Sequence, residues 1–354
     1  MTTILELPRA ESELLATGCV IPAHPLALTA ERKLDEQRQR ALTRYYVAAG
    51  AGGIAVGVHT TQFGIRSVGL LEPVLDLARE TMDDALAGRP FVRIAGACGD
   101  TAQAAAEAEL AASLGYHAVL LGPAGTSGLD EQELLQRAKV VGEVLPVVGF
   151  YLQEAVGGRF LSREFWRTLA DLPCVVGAKI APFDRYRTLD AVRGISESSR
   201  GSSVALYTGN DDNIVADLLT PIELAGPSGP VTRRIVGGLL GQWAVWTDAA
   251  VRMLSDVRRA WAGDDHALRS LTTMGPRLTD ANAAIFDAVN RFAGCIPGVH
   301  EVLRRQGLLA GTWCLDPDEA LSPGQAQAID HVCRAYPELT DDQFVEEHLD
   351  EWLR

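Results

Sequence analysis

Residues 174–180 read CVVGAKI, an apolar run that carries one charged side chain, Lys179. A short run rich in β-branched residues predicts a strand that is covered on both faces, as in a parallel sheet. Seven further runs of this kind are GCVIPA (18–23), GIAVGV (53–58), FVRIAGA (91–97), HAVLL (117–121), PVVGFY (146–151), SVALYT (203–208) and RRIVGG (233–238). Successive runs begin 26 to 38 residues apart, the period of a strand followed by a crossover helix.

Helical patterns lie between these runs. Apolar side chains repeat at helical spacing over 72–87 and 130–144, and a third helix is expected to begin at Asp100 or Thr101 and to stop before Gly115. Eight strand–helix units predict a (β/α)8 barrel. An open doubly wound sheet is the alternative, and the lack of a GxGxxG motif after the first strand disfavours it.

The strand period is lost after residue 245, so we predict a barrel domain over 1–245 and a C-terminal α-helical domain over 246–354. The helices expected there span 248–262, 278–293, 299–307 and 341–353. A further helix is predicted to be capped by Ser322, with Pro323 at its first position.

Charge and composition exclude several classes of protein. The chain of 354 residues has a formal net charge of −14, whereas nucleic acids and acidic membranes are bound by clustered lysine and arginine. The six cysteines lack the spacing of a disulfide frame or a metal site, which indicates a reducing compartment. Residues 1–16 do not read as a secretory signal, and no apolar run approaches the ~18 residues of a membrane span. We therefore expect a cytoplasmic protein with neither nucleic-acid nor membrane partners.

The three lysines of the chain differ in their surroundings. Lys33 lies in a charged cluster and Lys139 lies off the apolar stripe of its helix, so both are expected in solvent. Lys179 ends the sixth strand, at the face of a barrel where active sites gather. Burial there would lower the pKa of the amine and leave it nucleophilic. The alternative is a strand-end lysine that is paired with a carboxylate such as Asp184.

Two further segments carry candidate site residues. Tyr151 ends the fifth strand, and a phenol beside an imine-forming lysine can shuttle protons, although a core tyrosine is the commoner case. After the second strand, GVHTTQF (57–63) places Thr60 and Thr61 in a turn whose hydroxyls and amides can hold a carboxylate. The alternative is a threonine-rich turn that only caps the next helix.

Histidines follow the first two strands. His24 and His59 are expected near the same mouth of the barrel, where each can act as a general acid or base. No third ligand accompanies them, so a metal site is not expected.

These segments, taken in order, resemble the dihydrodipicolinate synthase and N-acetylneuraminate lyase family. The 28-residue separation of Tyr151 and Lys179 matches that family. TGNDD (208–212) resembles its glycine–aspartate segment after strand seven, and CIPGVHEVLRRQGLL (295–309) resembles its helical tail. The resemblance covers roughly residues 18–335.

The resemblance implies a class I aldolase in which Lys179 forms an imine with pyruvate or a related 2-oxo acid. This covalent imine would be the only cofactor-like group. Tyr151 would relay protons, while Thr60 and Thr61 would hold the carboxylate and extend the relay. His59, Gly209 and Ile235 are expected to line the substrate pocket. The partners implied are the 2-oxo acid, an aldehyde acceptor, and further copies of the chain in a homodimer or homotetramer.

Departures from the family concern the second substrate. Its usual GTTGE reads HTTQF here, so a glycine and a glutamate are replaced by His59 and Phe63. GPAG (122–125) lacks the tyrosine that synthases lend across a dimer interface, and the acceptor-binding arginine falls on Val156, with Arg159 displaced by three. We interpret this as a retained 2-oxo acid half-site and a rebuilt acceptor half-site, so true dihydrodipicolinate synthase activity is not expected.

Three functions are compatible with these residues. The first is a Schiff-base aldolase or lyase, in which His59 would orient the acceptor or, titrating near neutrality, carry a proton to it. The second is dehydration of a 2-oxo-3-deoxy sugar acid through the same imine. The third is a non-catalytic barrel that binds a keto acid, which the combination of Lys179, Tyr151 and the threonine pair disfavours.

Overall fold

A barrel of parallel strands forms the centre of the protein, for which a computed structural model describes residues 6–226 and 229–354. The strands are β1 (Val20–Pro22), β2 (Gly53–Val56), β3 (Val92–Ala97), β4 (Ala118–Leu121), β5 (Val147–Leu152), β6 (Val175–Ala181), β7 (Ala205–Thr208), β8 (Ile222–Gly226), β9 (Gly229–Arg233) and β10 (Gly237–Leu240). All except β8 and β9 lie in one sheet of parallel strands in the order β1-β10-β7-β6-β5-β4-β3-β2.

The two ends of this sheet meet where β1 and β2 come together. Ala23 pairs with Ala55 in a parallel bridge, and the His24 amide donates to the Ala55 carbonyl at 2.8 Å. At the other end of the pair, the Gly52 amide donates to the Val20 carbonyl at 3.0 Å. These contacts close the sheet, so the predicted (β/α)8 barrel is confirmed and the doubly wound sheet is excluded.

Helices cover the outside of the barrel and extend beyond it. They are α1 (Arg9–Thr17), α2 (Glu36–Ala48), α3 (Leu71–Ala85), α4 (Thr101–Ser113), α5 (Glu131–Gly142), α6 (Arg163–Asp171), α7 (Arg185–Glu197), α8 (Ile214–Leu219), α9 (Thr247–Trp261), α10 (Asp265–Ile285), α11 (Cys295–Arg305), α12 (Gln325–Ala335) and α13 (Asp342–Trp352). Helices α2 to α8 follow β1 to β7, and α9 follows β10. None of the helices in the described ranges is long and apolar enough to cross a membrane.

The helices between the early strands begin at polar caps. Asp100 accepts a hydrogen bond from the Gln103 amide at 2.9 Å and so is the N-cap of α4. Asp130 accepts from the Glu133 amide at 2.8 Å, and the Glu133 carboxylate accepts from the Asp130 amide, which forms a capping box at α5. The helices predicted over 72–87, 100–115 and 130–144 are confirmed as α3, α4 and α5.

The last barrel strand begins later than the sequence pattern predicts. The run from Arg233 was expected to start it, but Arg233 ends the antiparallel hairpin of β8 and β9, and β10 begins at Gly237. A Cβ on Gly237 would lie 2.5 Å from the Cys19 carbonyl oxygen, so a glycine allows β10 to approach β1. The Arg233 guanidinium instead donates to the Val204 carbonyl at 2.9 Å.

The C-terminal helices differ in part from their predicted bounds. The helix expected over 278–293 is α10, which begins at the cap Asp264 and contains Pro276. It ends before Asp287, which adopts a left-handed conformation with φ of 57°. Ser322 does not cap α12; its hydroxyl donates to the Asp287 carboxylate. The helices predicted near 248, 299 and 341 are α9, α11 and α13.

The barrel and the C-terminal helices share one buried apolar cluster. It contains residues of α2 together with Trp352 of α13 and Leu278 of α10. Helix α9 takes the place of the eighth barrel helix, although it lies within the predicted C-terminal segment. The division into domains at 245/246 therefore stays a prediction.

A buried tyrosine joins three of these elements. The Tyr45 hydroxyl on α2 donates to the Asp341 carboxylate at 2.7 Å, just before α13, and accepts from the Thr247 amide at 2.7 Å, at the start of α9. Tyr45 is fully buried and Asp341 is 4% exposed, so water cannot replace either bond.

Replacing this hydroxyl should destabilise the protein. In Tyr45→Phe, a buried amide and a buried carboxylate each lose a partner, and we expect the free energy of unfolding in urea to fall by about 1–3 kcal/mol. The control is Tyr336→Phe, whose hydroxyl donates to Asp280 at 2.7 Å at the surface; its effect should be clearly smaller than that of Tyr45→Phe. Equal losses in the two variants would contradict this interpretation of Tyr45.

Candidate active site

Lys179 lies inside the barrel near the C-terminal end of β6. Its side chain is 7% exposed, and its ammonium nitrogen lies 4.4 Å from the centre of the ring of Phe150, the residue that pairs with it on β5. On the other side, a Cβ on Gly209 would lie 2.6 Å from the Lys179 Cε. A phenyl ring and a glycine therefore position the lysine side chain between them.

One carboxylate balances the charge of this lysine. Burial lowers the pKa of Lys179 to about 8, and the carboxylate of Asp211 opposes that shift. Burial in turn raises the pKa of Asp211 to about 7, opposed by a hydrogen bond from the Gln242 amide at 3.0 Å and by Lys179. The partner that the sequence offered, Asp184, instead caps α7 by accepting from the Arg187 amide at 3.0 Å. Lys179 therefore has a larger unprotonated fraction at neutral pH than an exposed lysine.

The cavity in front of Lys179 is small and mainly apolar. Its aromatic and aliphatic lining includes Phe150, Leu152, Val156, Phe183, Phe286 and Phe292. Its polar lining includes His59, Thr60, Gln153 and Asp211. The volume is about 50 Å³. At roughly 10–15 Å³ for each water-sized group, the enclosed part of the cavity has room for a short 2-oxo acid, and a longer reactant would extend through the mouth.

The threonine pair lies in a single 3-10 turn, His59–Thr61, that follows β2. The Thr60 hydroxyl donates to the Ala23 carbonyl at 2.7 Å, and the Thr61 hydroxyl donates to the His24 carbonyl at 2.7 Å. Thr60 lines the cavity, whereas Thr61 is fully buried beneath it. Both hydroxyls thus tie the turn to the end of β1. The amides of His59 and Thr60 have no acceptor within the turn, because its first internal bond is made by the Thr61 amide.

The two histidines have different environments. His59 lines the cavity, 5.9 Å between ring centres from Phe63. Burial, and after it the charge of Lys179, lower the pKa of His59 to about 4, which argues against the prediction that it titrates near neutrality. His24 is fully buried outside the cavity, and its ring nitrogens bond to the Pro25 carbonyl at 2.8 Å and the Thr43 hydroxyl at 2.9 Å. His24 supports the turn and does not face the cavity.

Tyr151 points away from Lys179. Its ring lies 5.4 Å from the ring of Trp166 on α6, and its hydroxyl accepts from the Leu161 amide at 3.4 Å. This places the phenol in the layer between barrel and helices, since neighbouring residues of a strand face opposite sides. The expectation that Tyr151 lies beside Lys179 is therefore corrected, and Phe150 occupies that place.

The four remaining predicted positions have mixed outcomes. Gly209 contacts the Lys179 side chain as described, whereas Ile235 is buried among the outer core residues two positions before β10 and does not line the cavity. The Arg159 guanidinium donates to the Leu129 carbonyl and lines a separate apolar recess. Val156, where the family arginine was expected to fall, does line the cavity.

Several residues of the site were not predicted. Asp211 lies within the TGNDD segment, but it was assigned no role there. Phe286 and Phe292 come from the segment between α10 and α11, about a hundred residues after Lys179, so no local pattern connects them to it. In the ranges that the structure describes, no group of three or more histidine, cysteine, aspartate or glutamate side chains could hold a metal ion.

Comparison with known proteins identifies relatives in fold. No protein-family model matches the chain, and no curated protein sequence matches it significantly. Dihydrodipicolinate synthase from Oceanobacillus iheyensis matches with a TM-score of 0.71 at 17% identity, covering 92% of this chain and 99% of that one. N-acetylneuraminate lyase from Fusobacterium nucleatum complexed with pyruvate matches with a TM-score of 0.70 at 14% identity, covering 92% and 99%. YagE from E. coli K12, a prophage protein of the dihydrodipicolinic acid synthase family in complex with pyruvate, matches with a TM-score of 0.73 at 17% identity, covering 90% and 98%. The fold that the sequence resemblance implies is thus confirmed over nearly the whole chain.

The charge coupling between Lys179 and Asp211 can be tested by titration. In Asp211→Asn the ammonium loses its opposing carboxylate, so the pKa of Lys179 should fall below about 8. The measurement is the pH dependence of Lys179 modification by a small amine-reactive reagent, followed by mass spectrometry of its peptide. The Asp212 carboxylate raises the pKa of Asp211, so Asp212→Asn should shift the profile of Lys179 only slightly and in the opposite direction, toward higher pH. If the pH dependence of Lys179 modification is unchanged in Asp211→Asn, or moves to higher pH, the coupling between the two charges is excluded.

Proposed function

We propose that the protein is a Schiff-base-forming aldolase or lyase that acts on pyruvate or a related 2-oxo acid. The observation that carries this proposal is Lys179, a buried amine with a lowered pKa that faces a cavity at the C-terminal end of β6. Two of the proteins with the same fold have been solved with pyruvate, which supports this class of substrate.

The turn after β2 would hold the carboxylate of the 2-oxo acid. The amides of His59 and Thr60 are free of acceptors within the turn, and amides at such a position attract an anion. Thr60 and Thr61 fix the turn through their bonds to the carbonyls that follow β1, so they act as positioning residues. With the carboxylate there, the keto carbon lies toward Lys179 in a cavity of about 50 Å³.

The imine chemistry needs a group that moves protons. The Lys179 amine adds to the C2 carbonyl carbon, whose oxygen becomes a hydroxyl, and loss of that hydroxyl as water leaves the imine. Loss of a C3 proton from the imine gives the enamine. Tyr151 cannot serve these steps from its position. We assign them to Asp211, which lines the cavity and has a pKa raised to about 7, suited to both gaining and losing a proton.

The competing functions are weighed by the chemistry of the cavity. Its lining is mainly apolar, which disfavours the polyhydroxylated sugar acid of a dehydratase, the second candidate. A non-catalytic keto-acid-binding barrel has no need of a buried amine with a lowered pKa. Assembly into a homodimer or homotetramer stays a prediction from the resemblance.

The covalent step can be tested by reductive trapping. Borohydride added together with pyruvate should give a reduced adduct on the peptide that carries Lys179, detected by mass spectrometry. Lys179→Ala should abolish both trapping and turnover, because a covalent nucleophile has no substitute. Lys139→Ala, a lysine on the outer helix α5, is the matched control and should retain both. Labelling at another lysine, or none with any short 2-oxo acid, would reject the mechanism.

Two variants test whether Asp211 or Tyr151 transfers the protons. Asp211→Asn should lower turnover by roughly 10²–10⁴-fold, as is usual when a general acid–base group is lost. Tyr151→Phe should leave turnover within a few-fold of the original, because the phenol faces α6. Asp212→Asn controls for the loss of a nearby charge. The reverse ranking of Asp211→Asn and Tyr151→Phe would return the relay to the tyrosine.

A further inference from the structure

We infer that the aldehyde joined to, or released from, the 2-oxo acid is apolar and aromatic, and not a sugar or an anionic semialdehyde. This inference rests on the proposed Schiff-base function and names its second reactant. It is drawn from the part of the cavity that lies toward solvent from Lys179.

The charges at the cavity disfavour an anionic acceptor. Among the described residues that line it, Lys179 is the one cation, and imine formation commits it to the 2-oxo acid. Arg159 binds the Leu129 carbonyl in a separate recess, and an aliphatic side chain, Val156, lines the cavity on that side. A second carboxylate would lose its hydration without gaining a partner, which is costly.

Two phenylalanine side chains pack against each other at the mouth of the cavity. The rings of Phe183 and Phe292 meet edge to face, 5.7 Å between centres, and both side chains are partly exposed. Their backbones are left-handed, with φ of 52° and 66°, a conformation that is rare for bulky residues. Each is held in it, since the Phe183 amide donates to the Asn210 side chain and the Phe292 amide to the Asp287 carbonyl, both at 3.0 Å. Strain that the surrounding structure maintains at a site is typical of a binding element.

The polar groups at the cavity are too few for a sugar. The Thr60 hydroxyl already donates to the Ala23 carbonyl, which leaves the side chains of His59, Gln153 and Asp211. Each hydroxyl of a polyol left without a partner there costs about 1–3 kcal/mol. An aromatic aldehyde needs one donor, for its carbonyl oxygen.

The reaction with such an acceptor balances with groups already present. The enamine carbon C3 bonds to the aldehyde carbon, and the π pair of that carbonyl moves to its oxygen. The oxygen takes a proton from the Asp211 carboxyl group. Water then hydrolyses the imine, which releases the 4-hydroxy-2-oxo acid and regenerates the Lys179 amine. The reverse sequence cleaves the same bond. The aryl ring of the acceptor would lie against Phe183 and Phe292, where offset or edge contacts between rings are favourable.

The experiment compares three aldehydes with pyruvate as the common donor. Benzaldehyde represents the aromatic class, glyceraldehyde the polyhydroxylated class and succinic semialdehyde the anionic class. We expect kcat/KM for benzaldehyde to exceed that for either of the others by at least about 10-fold, the result of at least one unpaired hydroxyl in glyceraldehyde and of the unpaired carboxylate in succinic semialdehyde. Equal or greater kcat/KM for glyceraldehyde or succinic semialdehyde would overturn the inference.

Two variants test whether Phe292 contributes to the preference for benzaldehyde. Phe292→Ala should lower the benzaldehyde rate by about 3–10-fold relative to the rate of pyruvate trapping in the same variant, the magnitude of one aromatic contact. Phe160→Ala removes an exposed phenyl ring outside the cavity and should leave this ratio unchanged. Trapping without an aromatic preference would refute this inference alone. A complete lack of trapping would refute the proposed function together with it.

Discussion

The site depends on one constraint, the burial of an ammonium group beside a phenyl ring. The Nζ atom of Lys179 lies 4.4 Å from the centre of the Phe150 ring. The negative charge of Asp211 favours the protonated form of Lys179 and so opposes the lowering of its pKa. A buried charge is tolerated only when it is paired or can become neutral. The barrel provides both routes, since the charge of Asp211 opposes that of the ammonium and burial brings the pKa of the amine within reach of neutral pH.

Elements far apart in the chain maintain this environment. The turn at His59–Thr61 is tied by threonine hydroxyls to the carbonyls that follow β1, which fixes one wall of the cavity. Phe286 and Phe292, from the segment between α10 and α11, form another wall. The Tyr45 hydroxyl holds the starts of α9 and α13 against α2, and residues of α9, α10 and α13 share one buried cluster with the barrel.

The sequence predicted the barrel and its lysine because both depend on local patterns. Eight apolar runs at a regular period specify strands, and the position of Lys179 near a strand end specifies the face of the barrel. The orientation of Tyr151 required information that spacing does not contain. The register between β5 and β6 shifts at Val147 and Val148, so Phe150, and not Tyr151, pairs with Lys179. A shift of one residue moves a side chain to the other face of a strand. The aromatic wall was missed for a different reason, since contacts over a hundred residues leave no periodic signal.

The exchange of a phenol for a phenyl ring beside Lys179 changes what the remaining groups must do. Each of Lys179 and Asp211 shifts the pKa of the other, and one proton on the two groups can be held as ammonium and carboxylate or as amine and carboxylic acid. Only the second arrangement offers a nucleophile and a proton donor at once. Surroundings of low polarity disfavour separated charges, so Phe150, Phe183 and Phe292 shift the pair toward the neutral arrangement. The apolar side chains that would select an aromatic acceptor therefore also prepare the amine for attack, and acceptor choice and nucleophile activation become two consequences of one lining.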